Sequence, residues 1–226
     1  MRKLFLQMIV IILAIGIGFP QITANAEGNE RAYQHCNWHA VAQLKGGMRK
    51  LWIDHVMWTR DYIKSNLAGL EDQDQVLARL MKNQEDIGNA IKPYYGDEAG
   101  NKLGALLKDH IAIAGKLVEA AKTGDQANFK KFNTELYKNA DDIVQFLSSA
   151  NPNYNQKELK DDMYMHLQFV TDQVTARLKK DWAADIKAYD LGEDHMIKFA
   201  DTLSRGIKKQ FPEKFQCQRK HGMKKK

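Results

Sequence analysis

The chain has 226 residues, with 34 Lys and Arg against 28 Asp and Glu, a formal charge of +6, two cysteines and four prolines. That length supplies one domain with a substantial core. The positive balance comes without any nucleic-acid-binding motif, so nucleic acid is not the expected partner, and the sequence holds no Gly-rich strand-turn-helix element of a nucleotide-binding fold.

Residues 1–26 read as a secretory signal. Arg2 and Lys3 form a positive start, residues 4–19 an apolar run, and Ala24-Asn25-Ala26 a small-x-small cleavage pattern. The run approaches membrane-spanning length, so a retained anchor is the competing reading, and the cleavage pattern favours removal. The expected destination is outside the cytoplasm: the envelope, the periplasm or the medium. Losing Arg2 and Lys3 lowers the formal charge from +6 to +4.

Residues 27–43 form an N-terminal extension, and a helical domain is expected over residues 44–215. The first helix runs from about Val41 to Ala68, with Met48, Leu51, Trp52, His55, Thr59, Tyr62 and Ile63 on one stripe. Asp72 or Asp74 caps a second, carrying Val76, Leu77, Leu80, Asn83, Ile87 and Ile91, which stops near Pro93-Tyr94-Tyr95-Gly96. A third covers about residues 97–122, with Leu103, Leu107, His110, Ala114, Leu117 and Val118. Gly124-Asp125 starts a fourth, with Phe132, Leu136, Asn139, Ile143 and Leu147. After Asn151-Pro152-Asn153 a fifth is expected to run unbroken from about Asn155 to Asp190, and a sixth from Glu193 to Gln210. The apolar residues recur at three and four throughout and never alternate. Short connections make neighbours antiparallel, so the expected fold is all-α, an antiparallel bundle of about six helices.

Residues 216–226 form a basic tail with Arg219, Lys220, Lys224, Lys225 and Lys226. Such a tail is solvated, or touches anionic lipid or wall polymer. Cys36 and Cys217 stand near the two ends of the mature chain, where an oxidising compartment favours a disulfide between them. With His39 and His221 they also form Cys-x2-His and Cys-x3-His, the ligand types of a four-coordinate zinc site.

The domain repeats itself. At an offset of 56, Leu80, Lys82, Asn83, Asp86, Ile87, Leu103, His110 and Val118 fall on Leu136, Lys138, Asn139, Asp142, Ile143, Leu159, His166 and Val174. The first helix joins at an offset of 55, through His55 on His110 and Ile63 on Val118, and a shorter echo lays His195 on His166. A hairpin of one His helix and one Asn/Asp helix is therefore duplicated.

His55, His110 and His166 fall on apolar stripes, with Asn83 and Asn139 on the stripes between. Counting along each hairpin places His55 level with Asp86, and His110 level with Asp142. These groups are expected to meet in one polar layer. In one reading they hydrogen-bond each other and fix helix register. In the other they hold a small ligand or a transition metal (zinc, nickel or copper), with Asp54, Asp109 or Asp86 orienting the imidazoles. The usual metal-bundle pairings, such as Glu-x-x-His, do not occur. No Ser or Cys nucleophile with a placed base is legible, and the acidic pairs Asp141-Asp142 and Asp161-Asp162 diverge around their helices.

The strings His55-Val56-Met57-Trp58-Thr59-Arg60, Asn83 to Ile91 with Pro93-Tyr94-Tyr95-Gly96, Asn139-Ala140-Asp141-Asp142-Ile143 and Gln210-Phe211-Pro212 resemble a group of small, often exported bacterial helical proteins. Members of that group are often labelled "glycosyltransferase" or "acetylglutamate kinase". The resemblance covers about residues 44–215, and it implies sugar transfer from a nucleotide donor without supplying catalytic residues. The residues themselves point instead to a non-enzymatic exported bundle, either a ligand or metal binder or an envelope-associated interaction module.

Overall fold

The computed structural model describes the backbone of residues 24–216 and the side chains of residues 38–216. Five α-helical elements follow in order: α1 (Ala24–Ala68), α2 (Gln73–Thr123), α3 (Gln126–Ala150), α4 (Gln156–Leu178) and α5 (Trp182–Gln210). A 3-10 turn, Pro212–Phe215, closes the chain, and the described residues contain no strand. The all-α class expected from the 3.6-residue period therefore holds. The first helix begins at Ala24, well before the expected Val41.

The second element is not one rod. Lys108 meets Glu85 across 23 residues, and a Cβ on Gly88 would stand 2.5 Å from the Gly100 carbonyl oxygen. In a straight helix those pairs would lie about 34 Å and about 18 Å apart. The chain reverses at Gly96, whose φ of 83° and ψ of 170° are open to glycine and closed to residues with a Cβ. Pro93 sits in the last turn before it. Each arm of α2 is thus a rod, and the bundle has six rods with the break where the proline and glycine place it.

One expected boundary is wrong. The segment from Asn155 does not continue to Asp190. Lys180 takes a φ of 58° and Asp181 caps α5 by accepting from the Ala184 N–H, while α5 runs straight through Gly192. The two other turns at this end have glycine at the equivalent place, Gly69 at φ 65° and Gly124 at φ 70°. All three turns share one helix-ending hydrogen bond: Leu70, Asp125 and Asp181 donate their N–H to the carbonyls of Ser65, Ala120 and Ala176, each at 2.9 Å. Lysine at the left-handed position hid the third turn.

The rods form a closed ring in chain order, each antiparallel to its neighbours. α1 meets the first arm through Asn83, the arms meet at Glu85 and Lys108, and the second arm meets α3 through Asn139. The Tyr164 hydroxyl joins α4 to Asp141 of α3, and His195 joins α5 to α4. Closure comes from Arg49, which forks onto Asp201 with two 2.7 Å bonds, and from Arg60 on Asp185, both linking α1 to α5. Three hairpins therefore stand around one axis: α1 with the first arm, the second arm with α3, and α4 with α5. Their first helices stack the core in equivalent layers: Met48, Leu103 and Leu159; Trp52, Leu107 and Met163; and Ile63, Val118 and Val174. The duplication read in the sequence is a triplication in space.

Candidate functional site

Between the Trp52 layer and the Ile63 layer lie His55, His110 and His166, exposed by only 2–3%. Each comes from the first helix of its hairpin, where the helical period turns it onto the axis with its apolar neighbours. The His166 ring stands 5.5 Å from that of His55 and 6.3 Å from that of His110, centroid to centroid. The expected convergence of the three imidazoles is met.

The second helix of each hairpin supplies a repeated polar partner. Asn83 donates through Nδ2 to the Leu51 carbonyl at 3.0 Å, and Asn139 donates likewise to the Leu106 carbonyl at 3.1 Å. Both carbonyls lie four residues before the layer histidine of the same hairpin. In the third hairpin His195 does the same work: its Nε2–H donates to the Asp162 carbonyl at 2.8 Å, four residues before His166. His195 is therefore the counterpart of Asn139, at the same spacing of 56, and not of His166 as the shorter sequence echo suggested.

Because the Asn139 amide is fixed by its bond to Leu106, its Oδ1 faces His110 and must accept. The 2.7 Å contact is then a donation from His110 Nδ1–H, which leaves a lone pair on Nε2. Gln84, fully buried and not anticipated from the sequence, spends its two amide protons on the Leu80 carbonyl at 2.8 Å and on Asn83 Oδ1 at 3.1 Å, and its Nε2 rests 3.3 Å from His55 Nδ1. Gln84 Oε1 and the Trp52 indole N–H are each buried without a partner among the described residues.

Burial is the main cause that drives all three imidazoles to the neutral form. It pushes His55 down to about 3, helped by the charge of His110. His110 is lowered too, and its bond to Asn139 offsets part of the effect. His166 lies well below its usual value through burial and then through the charges of His55, His110 and His195, with no hydrogen bond opposing them.

The two candidate carboxylates are not in the layer. Asp86 sits on the flank, 3.3 Å from Lys82 and 3.8 Å from Arg79, and Asp142 is exposed. Counting rise along the hairpins missed by about one turn, because the helix pairing sets His55 level with Asn83 and Gln84. Asp54 pairs outward with Lys50, and Asp109 is exposed. Among the described residues no three His, Cys, Asp or Glu side chains are placed to hold a metal ion. His110 and His166 meet face to face at 27°, whereas ligands to one ion must point their in-plane lone pairs at it. His39 is exposed on α1, and the Cys36 side chain, Cys217 and His221 lie outside the described residues, as do residues 1–23 of the expected signal and the basic residues beyond 216.

An apolar cavity of about 210 Å³ opens one helical turn from His110 and His166. Ala114, Leu117 and Val118 of the second arm, Leu136 of α3, and Leu167 and Val170 of α4 line it. No described helix is long and apolar enough to cross a membrane. No family model, curated protein or solved structure matches the chain.

Proposed function

We propose that the protein is an exported, non-catalytic helical bundle that binds a small molecule beside its histidine layer. The observation that carries this reading is the cavity of about 210 Å³ adjoining that layer, larger than the apolar cavity of about 150 Å³ that suffices to hold benzene. The layer itself supports a scaffold role. Neutral imidazoles held under 2–3% exposure are poorly placed to exchange protons with a substrate, and Asn83, Asn139 and His195 spend their donors on backbone carbonyls. Polar groups paired in this way select one register of six similar helices over its neighbours.

Export follows from the signal-like start, and the basic residues from Arg219 to Lys226 would bring the bundle to an anionic envelope surface. The test is mass spectrometry of protein purified from its native compartment, with organic extraction and elemental analysis in parallel. A near-stoichiometric organic molecule released on unfolding is the expected result. A stoichiometric transition metal would replace the reading with metal binding. Turnover of a nucleotide sugar by the same sample would replace it with the transferase that the sequence resemblance implies.

A further inference from the structure

The threefold repeat gives the cavity something to be compared with. In the first hairpin Tyr62 packs with Leu80 and with Ile111 of the next hairpin, and its hydroxyl oxygen lies 3.0 Å from where a Gly115 Cβ would stand. One repeat on, the same three positions are Leu117, Leu136 and Leu167, and all three line the cavity. In the third hairpin the position of Leu80 is Gly192, and Phe169 lies against it, with a Cβ there 3.3 Å from that of Phe169. In the space between the second arm, α3 and α4, leucine stands where the first hairpin has the Tyr62 ring, and Phe129 of α3 is among the residues that line what is left open.

We propose that this space is a binding site for a single-ring aromatic molecule, which takes the place that the Tyr62 phenol ring occupies in the first hairpin. This deepens the small-molecule reading above and rests on it. The walls are hydrocarbon around the ring, from Leu117, Leu136, Leu167 and Val174. Polar groups come with Gln126, Thr171 and Thr175, and Gln126 and Leu178 are exposed and mark the mouth. A ring placed as Tyr62 is placed turns its hydroxyl toward the counterpart of Gly115, which is Thr171, whose Oγ1 donates to the Leu167 carbonyl and retains the capacity to accept. A ligand of this kind gains from burial without having to break a hydrogen bond in the layer beside it.

The test uses p-cresol, the tyrosine side chain as a free molecule, titrated into the full mature chain by calorimetry and by amide NMR. Saturable binding of one equivalent is expected, with the amides of Leu117, Val118 and Val174 shifting most. Leu117→Phe fills the space from within, so p-cresol should bind at least tenfold more weakly while the melting temperature rises. Tyr62→Leu opens the equivalent space in the first hairpin and should add a second equivalent; if that variant does not fold, Leu117→Phe decides alone. Binding of p-cresol that Leu117→Phe leaves unchanged overturns this site and leaves the small-molecule reading standing. Binding of decanoate in preference to p-cresol overturns the ligand class. Saturable binding of neither probe overturns both.

Discussion

His110 donates its Nδ1–H to Asn139 Oδ1 at 2.7 Å, and Asn139 in turn donates to the carbonyl of Leu106, one turn before His110. The amide thus closes a small circuit between two helices and fixes the imidazole tautomer. Asn139→Leu leaves two buried groups, the His110 N–H and the Leu106 carbonyl, without partners. We expect the fold to survive and the stability to drop by about 2–4 kcal/mol in urea denaturation, since each such group costs roughly 1–3 kcal/mol. His110→Leu should cost about 1–3 kcal/mol by the same reasoning, through Asn139 left unpaired. A loss near zero for Asn139→Leu would show the circuit to be dispensable.

Acid should unfold the bundle through this layer. The three imidazoles are held below their usual values in the folded state, His55 at about 3, whereas in the unfolded chain they titrate near 6.5. The unfolded chain therefore binds protons first as the pH falls. The stability is complete above about pH 6.5 and declines below it. At pH 5 a histidine held as low as His55 removes about 2 kcal/mol, a sizeable share of an ordinary domain's stability, and His110 and His166 act in the same direction. Urea denaturation at pH 7.5 and 5.0 measures this, and His166→Leu should shrink the difference between the two. An equal difference in wild type and variant would contradict it.

Lys180 holds a left-handed backbone where the two equivalent turns have glycine. A side chain there costs roughly 1–2 kcal/mol, partly offset by the greater freedom glycine has when unfolded. Lys180→Gly should stabilise the protein by about 0.5–1 kcal/mol in thermal or urea unfolding. Destabilisation would mean that the lysine side chain has a role the turn geometry does not reveal.

Asp185 is 2% exposed and joins α1, α4 and α5 by accepting from Arg60 and Arg177, each at 2.9 Å. Arg60 also stacks on Tyr189 and Arg177 on Trp182. Asp185→Asn keeps the shape and removes the charge, leaving two largely buried guanidinium groups facing each other. A loss of about 3–5 kcal/mol is expected, the cost of breaking a buried pair from one side. Hydrogen exchange should localise the loosening to α5 and the end of α4.

The sequence by itself determined the class, the number of rods and the three histidines of the layer. Those follow from the 3.6-residue period, from Pro93 and Gly96, and from the spacings of 55 and 56, all of which are local or periodic properties of the chain. It could also have revealed the third turn and His195, since Lys180 and His195 stand 56 residues after Gly124 and Asn139; the change of residue type concealed them. Only the tertiary structure decided the rest. Helix pairing set the level of His55 against Asn83 and Gln84, with Asp86 and Asp142 outside the layer, because a slip of one turn costs nothing in the pattern of a single helix and everything in what faces the axis. The cavity is likewise a property of packing: Leu117 is an ordinary core residue in its own helix, and the space beside it exists because the first hairpin fills the same place with Tyr62 and the second does not.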